Sequence, residues 1–138
     1  MKKIFLAIAL LTLVACSNSD EGDVFPRAMP VETLYNDNGE GEPGFYVVKS
    51  DFEFREIFDA NPPAFDFTSR MMLIFISERR SSDDAYEVGG LIEREQNIIY
   101  QINYTPCDVC SRDAVSKVMI IGTDRSTKPV LLDLFTTN

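Results

Sequence analysis

The chain has 138 residues, with 13 Lys and Arg against 22 Asp and Glu, no His, and a formal net charge of −9. That balance excludes a nucleic-acid binder, because a phosphate backbone is engaged by clustered Lys and Arg. The missing histidine excludes Ser-His-Asp and Cys-His nucleophile systems and the usual His-rich zinc sites.

Lys2 and Lys3 precede an apolar run from Ile4 to Ala15, interrupted only by Thr12. This is the order of parts in a signal peptide. The run is too short to cross a bilayer core as a helix, which takes roughly 20 residues. Leu13-Val14-Ala15-Cys16 closes it and resembles the bacterial lipobox, where the chain is cut before a cysteine that carries lipid. Residues 1–15 are therefore expected to be a lipoprotein signal peptide, and Cys16 the lipidated residue. Several acyl chains on one residue give stable anchoring. Ser17-Asn18-Ser19-Asp20-Glu21-Gly22-Asp23 follows. It is too poor in apolar surface to offset its ordering entropy, so residues 16–23 read as the lipidated cysteine and a flexible acidic tether. Such tethers resemble the surface-export signals of Bacteroidota lipoproteins. The expected location is the bacterial outer membrane or cell surface. Membrane contact would run through the lipid on Cys16, since so acidic a chain is repelled by anionic headgroups.

Residues 24–138 are enough for one domain with its own core. Val31 to Tyr35 reads as a first strand and Phe45 to Val48 as its return. Between them, Asn36 to Gly44 is turn chemistry, with Asn38-Gly39 suited to positive φ. Its oxygens could hold calcium, but Val47 stands where an EF-hand loop needs Glu; the expectation is an exposed hairpin turn. Ser50-Asp51-Phe52-Glu53 matches a capping box, and Phe54, Ile57 and Phe58 form one stripe of a helix about three turns long. Asn61-Pro62-Pro63 stops it.

Met71 to Ile76 is continuously apolar, which predicts a central strand buried on both faces. Ser77 to Ala85, including Arg79-Arg80 and Asp83-Asp84, reads as a solvated loop. Tyr86 to Glu93 and Asn97 to Tyr104 suggest a hairpin in which Ile98, Tyr100, Ile102 and Tyr104 share a face. Gly89-Gly90 suggests a bulge. Lys117 to Gly122 and Val130 to Phe135 read as a further pair. Many strands with one helix imply α+β, a mainly antiparallel sheet packed on that helix.

With Cys16 assigned to lipid, Cys107 and Cys110 remain as an even pair. Outside the cytosol the default for such a pair is a disulfide, here closing a very small loop. A thiol–disulfide redox role needs the motif at a helix N-terminus, but the segment after Cys110 is too short for a substantial helix before the strand at Lys117. A metal site needs about four ligands, and one Cys-x-x-Cys supplies two, so it would require a dimer. No cofactor, metal ligand or catalytic residue is assigned.

Phe45-Tyr46-Val47-Val48-Lys49-Ser50, the helix with Phe54 and Ile57-Phe58, and Phe65-Asp66-Phe67 before Met71-Met72-Leu73-Ile74 form a recognisable order. Tyr86-Glu87-Val88, Asn97-Ile98-Ile99-Tyr100-Gln101-Ile102 and Pro106 continue it. Together they resemble the C-terminal domain of PrcB-type protease-complex subunits, over about Tyr35 to Leu134. Asp84-Ala85 stands where that family has Gly-Gly. The resemblance implies a non-catalytic partner that stabilises a surface protease. The expected function is thus an accessory or protein-binding subunit at the envelope, and not an enzyme. The alternatives are a glycan or small-molecule binding module and a thiol–disulfide protein using Cys107 and Cys110. Intact-mass analysis of the membrane-extracted protein is expected to show a chain beginning at an acylated Cys16. Cys16→Ser is expected to abolish both the acyl mass and membrane retention; an uncut leader would overturn the assignment.

Overall fold

The computed structural model describes residues 24–110 and 113–137. The expected signal peptide, lipidation site Cys16 and tether lie outside the described residues. In chain order the elements are β1 (Arg27–Ala28), β2 (Glu32–Gly39), β3 (Gly44–Val48), α1 (Asp51–Phe58), β4 (Arg70–Ile76), β5 (Arg80–Ser81), β6 (Ala85–Glu93), β7 (Ile98–Thr105), β8 (Ala114–Asp124) and β9 (Val130–Thr136). The domain is small, built of mostly antiparallel sheet with one short helix. No described helix is long and apolar enough to cross a membrane.

The strands divide between two sheets, where a single sheet is expected from the sequence. One has the order β2-β8-β4-β3 and the other β1-β6-β7-β9, while β5 pairs with the start of β8. The cause lies in the apolar pattern of β4 and β8. Both carry large apolar side chains at odd and even positions, so both faces of their sheet must be covered. Met71, Leu73, Phe75, Met119 and Ile121 pack against Tyr86, Leu91, Ile98, Tyr100, Ile102 and Tyr104 of the second sheet. Met72, Ile74, Ile76, Val118 and Ile120 pack on the other side against Phe54, with Ile57, Phe58, Phe65 and Phe67 beside it. The layers are therefore sheet, sheet and helix.

This arrangement confirms the central position of β4, which pairs with β3 on one side and β8 on the other. The β6–β7 hairpin also forms as the alternation predicts, with a register shift between Val88 and Gly90. An ideal Cβ on Gly89 would lie 3.1 Å from the Asn103 side chain, so the bulge is tightly seated.

Two expected pairings do not form. β2 and β3 do not return on one another; they are opposite edges of one sheet, and Asn36–Gly39 continues β2. β8 and β9 belong to different sheets, and β9 runs parallel to β7. Because β8 is buried between β2 and β4, it has no edge left to offer β9.

Helix α1 begins as its capping box predicts. Ser50 Oγ accepts the Glu53 N–H at 3.1 Å, and Glu53 Oε2 accepts the Lys49 N–H at 2.8 Å. It has eight residues, shorter than expected, and ends on Asp59, whose φ is 50° and whose N–H bonds Arg55 O.

One end of the second sheet is fastened by charge. Glu93, buried at the end of β6, receives Arg27 at 2.7 Å and Lys128 at 2.9 Å. Lys128 Nζ also lies 3.9 Å from the centre of the Phe25 ring. Burial opposes ionisation of Glu93, but the two cations outweigh it and hold its carboxyl below the ordinary range. A carboxyl whose folded pKa is depressed adds stability above its unfolded pKa, and that stability is lost as pH falls through the folded value. The gap in urea-unfolding free energy between the wild type and Glu93→Gln is expected to be open at neutral pH. It should shrink steadily below about pH 4.5; a gap independent of pH would contradict this account.

Candidate functional site

The opposite end of the second sheet gathers the most chemically varied residues. Register places Tyr86 of β6 against Tyr104 of β7. Their rings stack with centroids 4.7 Å apart, and Phe75 sits 5.5 Å from Tyr86. The Arg80 guanidinium lies 5.7 Å from the Tyr104 ring centre. Short strand β5 holds that segment to β8, and the Asp84 N–H closes a turn onto Ser81 O at 3.1 Å.

This local folding buries Asp84 at 6 % exposure. Its Oδ2 accepts the Tyr104 hydroxyl at 2.7 Å and its Oδ1 accepts the Cys107 N–H at 3.0 Å. Accepting that proton, and then burial, push the Tyr104 hydroxyl above its ordinary pKa. Burial does the same for Tyr86. The carboxylate thus joins the end of β7 to the first residue of the cysteine loop.

Cys107 and Cys110 lie at disulfide distance, with Cα atoms 5.5 Å apart. Cys107 is half-buried and Cys110 exposed; Val109 between them is 92 % exposed. The Asp84 carboxylate and both sulfurs lie within 4.8 Å of one another. Beside the corner is a cleft of about 400 Å³ whose lining includes Pro43, Phe75, Glu78, Arg80, Tyr86 and Leu134.

The solvated loop expected over Ser77 to Ala85 needs correction. Ser77 and Asp84 are buried, and Arg80–Ser81 is a strand. Asp84, Tyr104 and Arg80 are thus site residues that sequence reasoning missed. A carboxylate inside a polar run carries no mark of burial; the available cue is Tyr104, inward-facing with Ile98, Tyr100 and Ile102, whose hydroxyl calls for a partner when buried, although the buried Tyr100 hydroxyl on the same face has none among the described residues. The Asn36–Glu42 oxygens are not gathered into a turn, because Asn36 to Gly39 are paired to β8.

A second feature stands apart from this corner. Strand β9 has a neighbour on one side only, among the described residues. Register with β7 puts Leu131 and Phe135 on the outer face and Val130, Leu132 and Leu134 toward the other sheet. Leu131, Leu134 and Phe135 remain 49, 45 and 53 % exposed.

No protein-family model, no curated protein and no solved structure matches the chain.

Removing the Tyr104 hydroxyl leaves one oxygen of a buried carboxylate unpaired. Hydrogen bonds to charged groups contribute about 1.5–3 kcal/mol. Tyr104→Phe is expected to lose about that much in urea unfolding, with little change in the far-ultraviolet spectrum. A loss below about 0.5 kcal/mol would show that Asp84 does not depend on this bond.

Proposed function

We propose that this domain is a non-catalytic protein-binding subunit, carried at the bacterial envelope by a lipid on Cys16, and that it receives an extended segment of its partner along β9. The observation that carries this reading is the chemistry of that edge. An uncovered strand offers a row of unpaired N–H and C=O groups, and native edges are blunted by charge, proline, bulges or shortness. Strand β2 is blunted by Glu32, Asp37 and a register shift between Thr33 and Tyr35. Strand β1 has two residues and lies between Pro26 and Pro30, and edge strand β3 is shorter than β9, five half-buried or buried residues that start directly after Pro43. Strand β9 has seven residues, Val-Leu-Leu-Asp-Leu-Phe-Thr, with one charge and no proline.

Strand addition takes its affinity from main-chain hydrogen bonds and its specificity from alternate side chains. Along β9, an added strand meets Leu131 and Phe135 on one face and Leu134 beside the cleft on the other. The chain's net charge of −9 favours a segment flanked by Lys or Arg. The PrcB-like order of elements fits the same role, as an accessory to a surface protease.

The double variant Leu131→Lys, Phe135→Lys places two cations on the outer face of the exposed edge and leaves the core untouched. It is expected to fold with an unchanged melting temperature and to lose at least about tenfold in affinity for whatever partner the wild type retains specifically from envelope extracts. Equal retention by wild type and variant would remove β9 as the binding edge.

A further inference from the structure

Among the described residues, one cluster has the donor set of a metal centre that the sequence does not complete. Cys107 and Cys110 supply two sulfurs, which leaves a single chain short of ligands. The fold brings a third from 23 residues upstream. The Asp84 carboxylate oxygen and the two Sγ atoms lie within 4.8 Å of one another. In the disulfide the two sulfurs are bonded to each other. Once reduced they can part, and the carboxylate oxygen already beside them can join them around one tetrahedral ion, with bonds of about 2.3 Å to sulfur and about 2.0–2.2 Å to carboxylate oxygen.

The carboxylate is also held in the way a ligating carboxylate needs. Tyr104 donates to one oxygen and the Cys107 N–H to the other, each using one lone pair. A second lone pair on each oxygen is left. Hydrogen bonds of this kind fix the orientation of a ligand and tune its basicity. Burial of Asp84, beside the exposed Cys110, puts the third donor on the protein side and leaves the solvent side open.

We propose that, when the cysteines are reduced, Asp84, Cys107 and Cys110 form a three-ligand site for a thiophilic divalent cation of the zinc class, with water in the fourth position. Two thiolates and a carboxylate suit borderline-soft zinc; calcium and magnesium take oxygen ligands. The site and the disulfide exclude each other because they use the same sulfurs. A dithiol reductant passes two electrons and two protons to the Cys107–Cys110 bond and becomes a disulfide itself. The cation then displaces the two thiol protons as it binds. The corner alternates between a covalent clasp and a metal clasp, and in both Asp84 holds the loop to β7. This inference does not depend on the role given to β9.

The test uses residues 16–138 carrying Cys16→Ser, which leaves Cys107 and Cys110 as the thiols of the chain, reduced with a phosphine, freed of excess reductant under argon, and titrated with cobalt(II) and then zinc(II). One equivalent of cobalt is expected to bring sulfur-to-cobalt charge-transfer absorption in the near ultraviolet and tetrahedral d–d bands, both lost when zinc displaces it. Zinc-edge X-ray absorption is expected to count two sulfurs and two lighter atoms. Cys110→Ser is expected to abolish the charge-transfer bands, and Asp84→Asn to weaken zinc at least about tenfold. Should Asp84→Asn fail to fold, the ligand count on the wild type still decides. Four sulfurs per zinc at half an equivalent would mean two molecules sharing one ion, and would overturn the site. So would an absence of binding, or a folded Asp84→Asn with unchanged affinity, which would leave Asp84 as a positioning residue for the loop.

Discussion

Two strands that must be dry on both faces organise this molecule. β4 and β8 lie side by side in the middle of one sheet, and from Met71 to Ile76 and from Val118 to Ile121 every side chain is buried. A sheet of this kind needs a cover above and a cover below. The second sheet supplies one cover and α1 with the Phe65–Phe67 segment supplies the other. At roughly 25 cal/mol for each Å² of apolar surface removed from water, burial of this continuous layer is the dominant favourable contribution to folding. The hairpin of β6 and β7, the helix and the β9 edge are placed by what this layer leaves uncovered.

That hierarchy explains what could be read from the residues alone. The apolar run of β4 announces its own burial, because no half-exposed strand carries six large apolar side chains in succession. The alternation of Ile98, Tyr100, Ile102 and Tyr104 announces one buried face, and Ser50 with Glu53 announces a helix start. These are local signals, and each appears in the structure. Strand partnership is not local. Asn38-Gly39 has the chemistry of a tight turn, yet an ideal Cβ on Gly39 would lie 2.7 Å from Val118 Cγ2. That glycine serves close approach between paired strands. The demand of β8 for two neighbours outweighs the local preference of Asn36–Gly39, and it sends β9 to the other sheet.

The corner at Asp84 follows the same logic at smaller scale. A run of Arg79-Arg80-Ser81-Ser82-Asp83-Asp84 has the composition of solvent-facing loop, and Arg79, Arg80 and Asp83 are indeed exposed. Two residues of strand pairing at Arg80–Ser81 are enough to turn Asp84 inward, where a tyrosine hydroxyl and a backbone N–H receive it. Burying a carboxylate is costly unless its oxygens are satisfied. The two donors come from β7 and from the cysteine loop, so the charge is tolerated only where those two segments meet. Half of this candidate site, the cysteine pair, was legible as spacing. The other half exists only through tertiary placement.

The ion triad around Glu93 has a mechanical consequence. β1 pairs with β6 through Arg27 and Ala28, extended by the Met29 N–H on Leu91 O at 2.9 Å, and the chain enters beside Glu93 at the far end of the sheet from Cys107. An eight-residue strand of β7 separates the two ends, a span of about 26 Å. A pull on residue 24 along the strand axis loads β1 in shear, and Arg27 and Lys128 on Glu93 resist first. Tension from the amino-terminal side therefore meets this ion triad at the end of the sheet opposite Asp84 and the cysteines.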